Sequence, residues 1–254
     1  MEKKFGLWNS ISGPVVMLPQ AFGSFDKVGM VDAARRVLGE CSNVYARDAK
    51  SQQYLTELGT SASIGSCVDI TLGVRHEKTI SRTDELVLVP NWNLTRVVGR
   101  SEYVQTLVGV SRWGAERGMS VVGLLHEGPS DLELLKAVSN EVDIEIVDNE
   151  SGWQVKERLA RARLVVSGRY HAMLGALSSG TPVAVHSWSH KYAAALEAFG
   201  VAEWQCDPSD PQVSLDLLKI LDAGDFESDL QIRADNLADQ VGAMWDEVAK
   251  VFLK

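Results

Sequence analysis

The segment Ser167-Gly168-Arg169-Tyr170-His171-Ala172 sets an arginine and a histidine side by side where an apolar run meets a helix. Gly168 lets the backbone turn from strand into helix, Arg169 offers a planar fork suited to carboxylate or phosphate, and His171 brings an imidazole, the side chain most used for proton transfer. An acid beside an anion clamp is an arrangement for proton transfer to a bound anion. A basic pair opening a helix opposes the helix dipole, so this pair predicts a compensating anion, and we read that anion as the ligand. The helix that follows holds Ala172, Gly175, Ala176, Ser178 and Ser179, small residues that predict close packing on a sheet and a rigid mounting.

Other polar residues stand at equivalent junctions: Gln20, Arg47 with Asp48, Asn91 with Trp92, His126, and the segment from His186 to Lys191. Arg47 opens a second helix as Arg169 does, although Arg47-Asp48 also reads as a surface ion pair with an N-cap. His126 reads equally as a half-buried structural histidine, and Lys191 as a solvated charge at a helix start. Trp92, Trp113, Trp153, Trp188 and Trp204 could offer faces for sugar stacking, but core or rim positions account for most of them. His186 and His190 have a spacing that suits a metal on a helix. Pro182 and the β-branched run ahead of them argue for strand and loop instead, so no metal site is expected.

These residues matter together because open parallel sheets bind ligands beyond the carboxyl ends of their strands. Short apolar runs alternate with amphipathic stretches along the whole chain, the pattern of βαβ units. Strands are expected at 14–19, 43–46, 63–68, 86–89, 120–125, 143–147, 164–166 and 183–185. Helices are expected at 27–39, 48–58, 101–117, 130–139, 153–161, 170–178 and 191–199. Asp48 caps the second of these and Gly59 closes it; Ser130-Asp131-Leu132-Glu133 reads as a capping box. Leu237, Val241, Met244, Trp245, Val248 and Phe252 form the apolar stripe of one long final helix. The pattern thins between Ser61 and Asp84, where we place a hinge. The expected organisation is therefore a partial N-terminal Rossmann-like domain at 1–83, a C-terminal Rossmann-like domain at 84–229, and an amphipathic helix at 230–254.

Composition narrows the function classes. The chain has 254 residues, 34 acidic against 25 basic, and a net charge of -9. A chain of this size buries roughly 70 to 75% of its unfolded surface and needs neither disulfide nor metal to hold it. The negative charge, with no basic run to reverse it locally, argues against nucleic acid and anionic lipid as partners. No stretch has the roughly 18 to 20 apolar residues of a membrane span, and no signal peptide follows the first lysines, so a cytoplasmic protein is expected. Cys41, Cys67 and Cys206 match no metal or redox spacing and read as buried thiols.

Arg169-Tyr170-His171-Ala172, followed by Ala176-Leu177, Gly180-Thr181-Pro182-Val183 and Lys191, resembles the R-x-H signature of the polysaccharide pyruvyl transferases. Leu18-Pro19-Gln20-Ala21-Phe22-Gly23 is similar to that family's l-P-Q segment, and Val44 to Ser51 to its R-D-x-x-S segment; His126 with Asp131 matches its H...D pair. The resemblance implies an α/β fold: a GT-B-like pair of Rossmann-type parallel-sheet domains with a long C-terminal helix. Only Met1 to Gly13 precede the l-P-Q strand, so the first domain is expected to be curtailed. It further implies ketal formation from phosphoenolpyruvate on two hydroxyls of a sugar, the acceptor being a glycan or its lipid-linked or nucleotide-linked precursor, with no cofactor. By the same resemblance His171 is the general acid and Arg169 and Arg47 hold carboxylate and phosphate. Gln20, Asn91, His126, Gly168 and Lys191 are the candidate substrate-binding residues. Val74-Arg75-His76-Glu77 has no counterpart and reads as a solvated loop. A nucleotide-sugar glycosyltransferase and a non-catalytic anion- or sugar-binding protein are the alternatives.

Overall fold

The computed structural model describes residues 12–74, 81–187 and 190–253. The Val74 to Glu77 loop thus falls largely outside the described residues, as does Trp188. The chain divides into two units, Met1–Val74 with Leu237–Lys254, and Arg75–Asn236.

The first unit is built on a three-stranded parallel sheet in the order β1 (Val16–Gln20), β2 (Asn43–Ala46), β3 (Ser63–Ser66), with Asn43 opposite both Val16 and Ser63. Helices α1 (Met30–Gly39) and α2 (Ala49–Leu58) connect the strands. Both ends of α2 form as the sequence predicts: the Asp48 carboxylate accepts from the Ser51 amide at 2.7 Å, and Gly59 takes the left-handed conformation at φ 68°. Side chains alternate across the central strand. Val44 and Ala46 pack with Leu38, Leu55 and Leu58, whereas Tyr45 packs with Cys67 and with Val241, Met244 and Val248 of the last helix, α10 in chain order (Glu227–Phe252). Tyr45 also donates to Glu247 Oε2 at 3.0 Å. The predicted stripe is narrower than expected. Trp245 and Phe252 are 45% and 56% exposed, Trp245 lying on the flank of the line through Leu237, Val241, Met244 and Val248 and Phe252 in the last turn.

The second unit has a six-stranded parallel sheet made of β4 (Glu85–Val89), β5 (Ser120–Leu124), β6 (Glu145–Val147), β7 (Leu164–Ser167), β8 (Val183–His186) and β9 (Gln205–Cys206). The connecting helices are α3 (Thr95–Val98), α4 (Arg100–Glu116), α5 (Gly128–Ser139), α6 (Gly152–Arg161), α7 (Tyr170–Leu177), α8 (His190–Ala198) and α9 (Pro211–Ala223). The strands lie in the order β6-β5-β4-β7-β8-β9, the Rossmann arrangement in which the chain starts at the centre, builds one half outward and then the other. Leu86, Val87, Leu88 and Val89 are wholly buried, as a strand covered on both faces must be.

Several elements depart from expectation. Helix α5 starts at Gly128 rather than at Ser130, with Glu127 in the capping position and no side-chain cap. Pro129 fits the first turn, where no amide hydrogen is required, and Asp131 is buried and engaged elsewhere. The box forms instead at α6, where the Ser151 amide donates to Gln154 Oε1 at 2.9 Å and the Gln154 amide to Ser151 Oγ at 3.4 Å. Strand β9 and helix α9 were not anticipated, although Asp210-Pro211, a cap residue before a first-turn proline, marks the start of α9. All three cysteines are free and buried. Among the described residues no helix is long and apolar enough to cross a membrane.

The packing of α10 gives a direct test. Met244→Ala removes a side chain only 3% exposed and should cost about 2 to 5 kcal/mol in urea unfolding, whereas Trp245→Ala should change stability by about 0.5 kcal/mol or less. Equal losses would mean that the face of the helix has been assigned wrongly.

Candidate active site

The strand order brings β4 and β7 together while their chains continue to opposite halves of the sheet, the switch point beyond whose carboxyl ends open parallel sheets form their ligand crevice. Gly168 and Arg169 follow β7 there, and Asn91 and Trp92 follow β4. Gly168 is needed for a different reason from the one the sequence suggests. Its φ is not positive, but a Cβ would lie 2.9 Å from Leu94 Cδ1 and 3.0 Å from both Asn91 Cβ and the Tyr103 hydroxyl. Its carbonyl accepts from Asn91 Nδ2 and from the Tyr192 hydroxyl, each at 2.8 Å. Asn91 also accepts from the Asn93 amide at 3.0 Å, so both ends of its amide group are engaged inside the protein.

Arg169 is fixed by a carboxylate that has no solvent contact. Its Nε donates to Asp131 Oδ2 and its Nη2 to Asp131 Oδ1, each at 2.8 Å, and Asp131 Oδ1 also accepts from the Trp92 amide at 2.9 Å. The outer nitrogen, Nη1, donates to the carboxylate of Glu127, whose side chain is 69% exposed. Burial works against the charge of Arg169, but Asp131 and then Glu127 outweigh it, and its pKa is raised. The compensating anion expected from the sequence is therefore present as part of the chain.

His171, in the first turn of α7, is exposed, and its ring meets the edge of Tyr170 at 5.4 Å. Tyr170 in turn meets Tyr192 edge-on at 5.5 Å, and Lys191 Nζ lies 5.4 Å from the centroid of each tyrosine. His126 is half-buried at the end of β5, and its Nδ1 has no hydrogen-bond partner. Burial first, then the nearby His171 and Arg169, push its pKa down, while Glu127 and Asp131 act the other way. Arg169, His171, His126 and Lys191 thus belong to one constellation in the second unit.

Gln20 and Arg47 belong to the first unit. Gln20 is exposed at the end of β1, and its carbonyl accepts from the Arg47 amide at 3.1 Å. Arg47 Nη1 pairs with Asp69 Oδ2 at 2.7 Å, with both side chains mostly buried; Asp69 follows the adjacent strand β3, while Asp48 serves as the helix cap. Trp113 and Trp204 are core residues, Trp92 is half-buried and Trp153 is exposed. His186 is fully buried; its Nε2 lies 3.0 Å from Ser214 Oγ, and its Nδ1 has no partner. Burial pushes its pKa down to about 4. The described residues contain no group of three His, Cys, Asp or Glu side chains placed to hold a metal.

The sequence profile described as polysaccharide pyruvyl transferase matches residues 3–190. The chain belongs to the polysaccharide pyruvyl transferase family. It is accordingly a member of a family of transferase enzymes. Comparison with curated proteins finds no match. Solved structures share the fold at low identity. An α,α-trehalose-phosphate synthase (UDP-forming) from Burkholderia vietnamiensis superposes with a TM-score of 0.58 at 12% identity, over 98% of this chain and 70% of that one. UDP-GlcNAc 2-epimerase from Neisseria meningitidis, bound to UDP-GlcNAc, gives 0.61 at 14% identity over 94% and 69%. The S. aureus MnaA–UDP complex gives 0.60 at 14% over 98% and 71%. The fold is GT-B-like, with Rossmann-type parallel sheets and a long C-terminal helix.

Two outcomes check the geometry of this family member. Asp131→Asn leaves the largely buried Arg169 guanidinium without its inner charge and should cost about 3 kcal/mol in urea unfolding; a loss below about 1 kcal/mol would show that the pair does not brace the crevice. His186 is neutral in the fold but takes up a proton near pH 6.5 once the chain unfolds. The unfolded state then binds more protons, so stability is complete above about pH 6.5 and falls as pH drops towards about 4, by on the order of 3 kcal/mol. Unfolding curves at pH 7, 5.5 and 4.5 should show this slope and His186→Gln should flatten it; an unchanged slope in the variant would assign it to other groups.

Proposed function

We propose that the protein transfers the pyruvyl group of phosphoenolpyruvate to two hydroxyls of a sugar, forming a cyclic ketal, in the making of a cell-surface polysaccharide. Family membership supports the reaction class. The observation that carries the residue assignment is the cation of Arg169, immobilised by Asp131 at the crevice, with exposed His171 in the adjoining first turn and neutral His126 alongside.

The chemistry needs an acid, an acceptor of protons and cationic contacts for an anionic donor. His171 gives a proton to the methylene carbon of the enol phosphate, which makes C2 electrophilic. One sugar hydroxyl attacks C2, phosphate departs, and the second hydroxyl closes the ketal. The two hydroxyls lose two protons, one of which replaces that given to the methyl group while the other leaves with phosphate. His126, kept neutral, is the group suited to accept a hydroxyl proton. Arg169 and Lys191 supply positive charge to the donor's carboxylate and phosphate. Asn91 and Gly168 act on this reading by holding the loop that carries Arg169. The acceptor is a sugar, free, lipid-linked or nucleotide-linked.

Thermal unfolding with phosphoenolpyruvate, pyruvate, UDP and GDP in turn tests the reading. At about 100 times the dissociation constant the bound ligand adds about 2.7 kcal/mol, roughly 5 to 10 °C for a chain of this size. Phosphoenolpyruvate should give that shift, His171→Asn should retain it, and phosphate release in the presence of acceptor should fall by about 100-fold or more in the variant. Full turnover in His171→Asn would remove the histidine from the reaction. A shift with a nucleotide alone would replace the pyruvyl reading with a nucleotide-sugar glycosyltransferase, and the UDP named with the S. aureus neighbour is the reason for including that arm.

A further inference from the structure

Arg169 has two carboxylate partners, and they differ in every respect that decides whether a ligand could replace them. The Asp131 side chain is 1% exposed and accepts from Nε, from Nη2 and from the Trp92 amide, so nothing can displace it without stranding a buried charge. Glu127 is on the rim, 69% exposed, and touches the guanidinium only through Nη1. Although Glu127 occupies the N-cap position of α5, its side chain caps nothing. Its carboxylate is therefore not needed to start the helix, and it is not needed to neutralise Arg169, since Asp131 already does so.

A guanidinium has five N–H donors in a fixed plane. With Nε and one N–H of Nη2 turned onto Asp131, the outer edge made of Nη1 and the second N–H of Nη2 is left for an incoming oxyanion, and Glu127 takes its Nη1 side. We propose that Glu127 is a displaceable carboxylate that sets the affinity and selectivity of this anion site: the donor's oxyanion exchanges with it on Nη1, and its negative charge at the rim weakens the binding of every anion that cannot make the exchange. The inference rests on the reading of Arg169 as an anion clamp. Displacement breaks one exposed ion pair and forms another, so Glu127 swings into water where its charge is readily solvated. The occupant of Nη1 is an oxyanion, either the carboxylate or the phosphate of the donor.

The test is calorimetric binding of phosphoenolpyruvate, inorganic phosphate and pyruvate to wild type, Glu127→Gln and Arg169→Lys, the last retaining a cation opposite Asp131. Glu127→Gln should bind phosphoenolpyruvate about three- to fivefold more tightly, the factor that loss of one exposed ion pair allows, with a matching fall in KM, and Arg169→Lys should abolish the gain when combined with it. A gain shared with phosphate but not pyruvate assigns the phosphate to Nη1, and the reverse assigns the carboxylate. Binding that is unchanged or weaker in Glu127→Gln overturns the proposal, because Glu127 would then be a spectator or a substrate contact. The two readings separate cleanly. An Arg169-dependent gain for phosphate with no preference for phosphoenolpyruvate leaves Glu127 in this role and removes the pyruvyl donor; selective phosphoenolpyruvate binding indifferent to Glu127 does the opposite; and no anion binding in any form overturns both.

Discussion

An ionised carboxylate cannot stay inside a protein unless cations and donors close around it, and Asp131 meets that requirement by drawing on three neighbouring strands. It stands on α5, after β5; Trp92, which donates its amide, follows β4; Arg169, which donates two nitrogens, follows β7. One buried charge thus ties together the carboxyl ends of three adjacent strands at the crevice. The Gly168 carbonyl extends the tie, since Asn91 comes from the end of β4 and Tyr192 from α8, beyond β8. The loops at this end of the sheet are held by directed bonds rather than by apolar packing alone, which gives the crevice a defined shape.

That arrangement sets a fixed cation beside an exposed imidazole. Arg169 is locked in place and largely buried, while His171, close by in the chain, stands in solvent with its ring against Tyr170. His126 has the opposite environment, half-buried, with a pKa pushed down chiefly by desolvation. Two imidazoles close together thus stand in different surroundings, one exposed and one half-buried. Lys191 over the faces of Tyr170 and Tyr192 adds a second cation whose stem is steered by the aromatic pair.

Much of the fold was legible because its signals are local. Asp48 and Gly59 bound α2 as the sequence predicts, and the apolar runs at β4, β7 and β8 mark strands buried on both faces. The reading slipped at two helices. Ser130 is no cap because the helix already starts at Gly128 with Pro129 in its first turn, and Trp245 leaves the stripe because the sheet of the first unit accepts only the face through Val241, Met244 and Val248. Strand β9 is too short to show any period. The importance of Gly168 was visible, but the cause was not: crowding by Leu94, Asn91 and Tyr103 is a property of packed neighbours, not of its own dihedral angles. Arg47 reads from the sequence as an anion clamp or as an ion pair with Asp48, and the ion pair it makes with Asp69, 22 residues on, is set by the packing of neighbouring strands.

By itself the sequence determined the alternation of strand and helix, the polar residues at their junctions, and the family signature running through Arg169, His171 and Lys191, because periodicity, caps and motif spacing are set within a few residues. Tertiary structure decided the rest. It set the strand order that places Asn91 beside Gly168, the burial that keeps His126 neutral, and the choice of Asp131 as the anion for Arg169, 38 residues away in the chain. The sequence could announce that a basic pair at a helix start needs a negative charge. Only packing could supply it from within, since which carboxylate loses its water depends on which segments close over it.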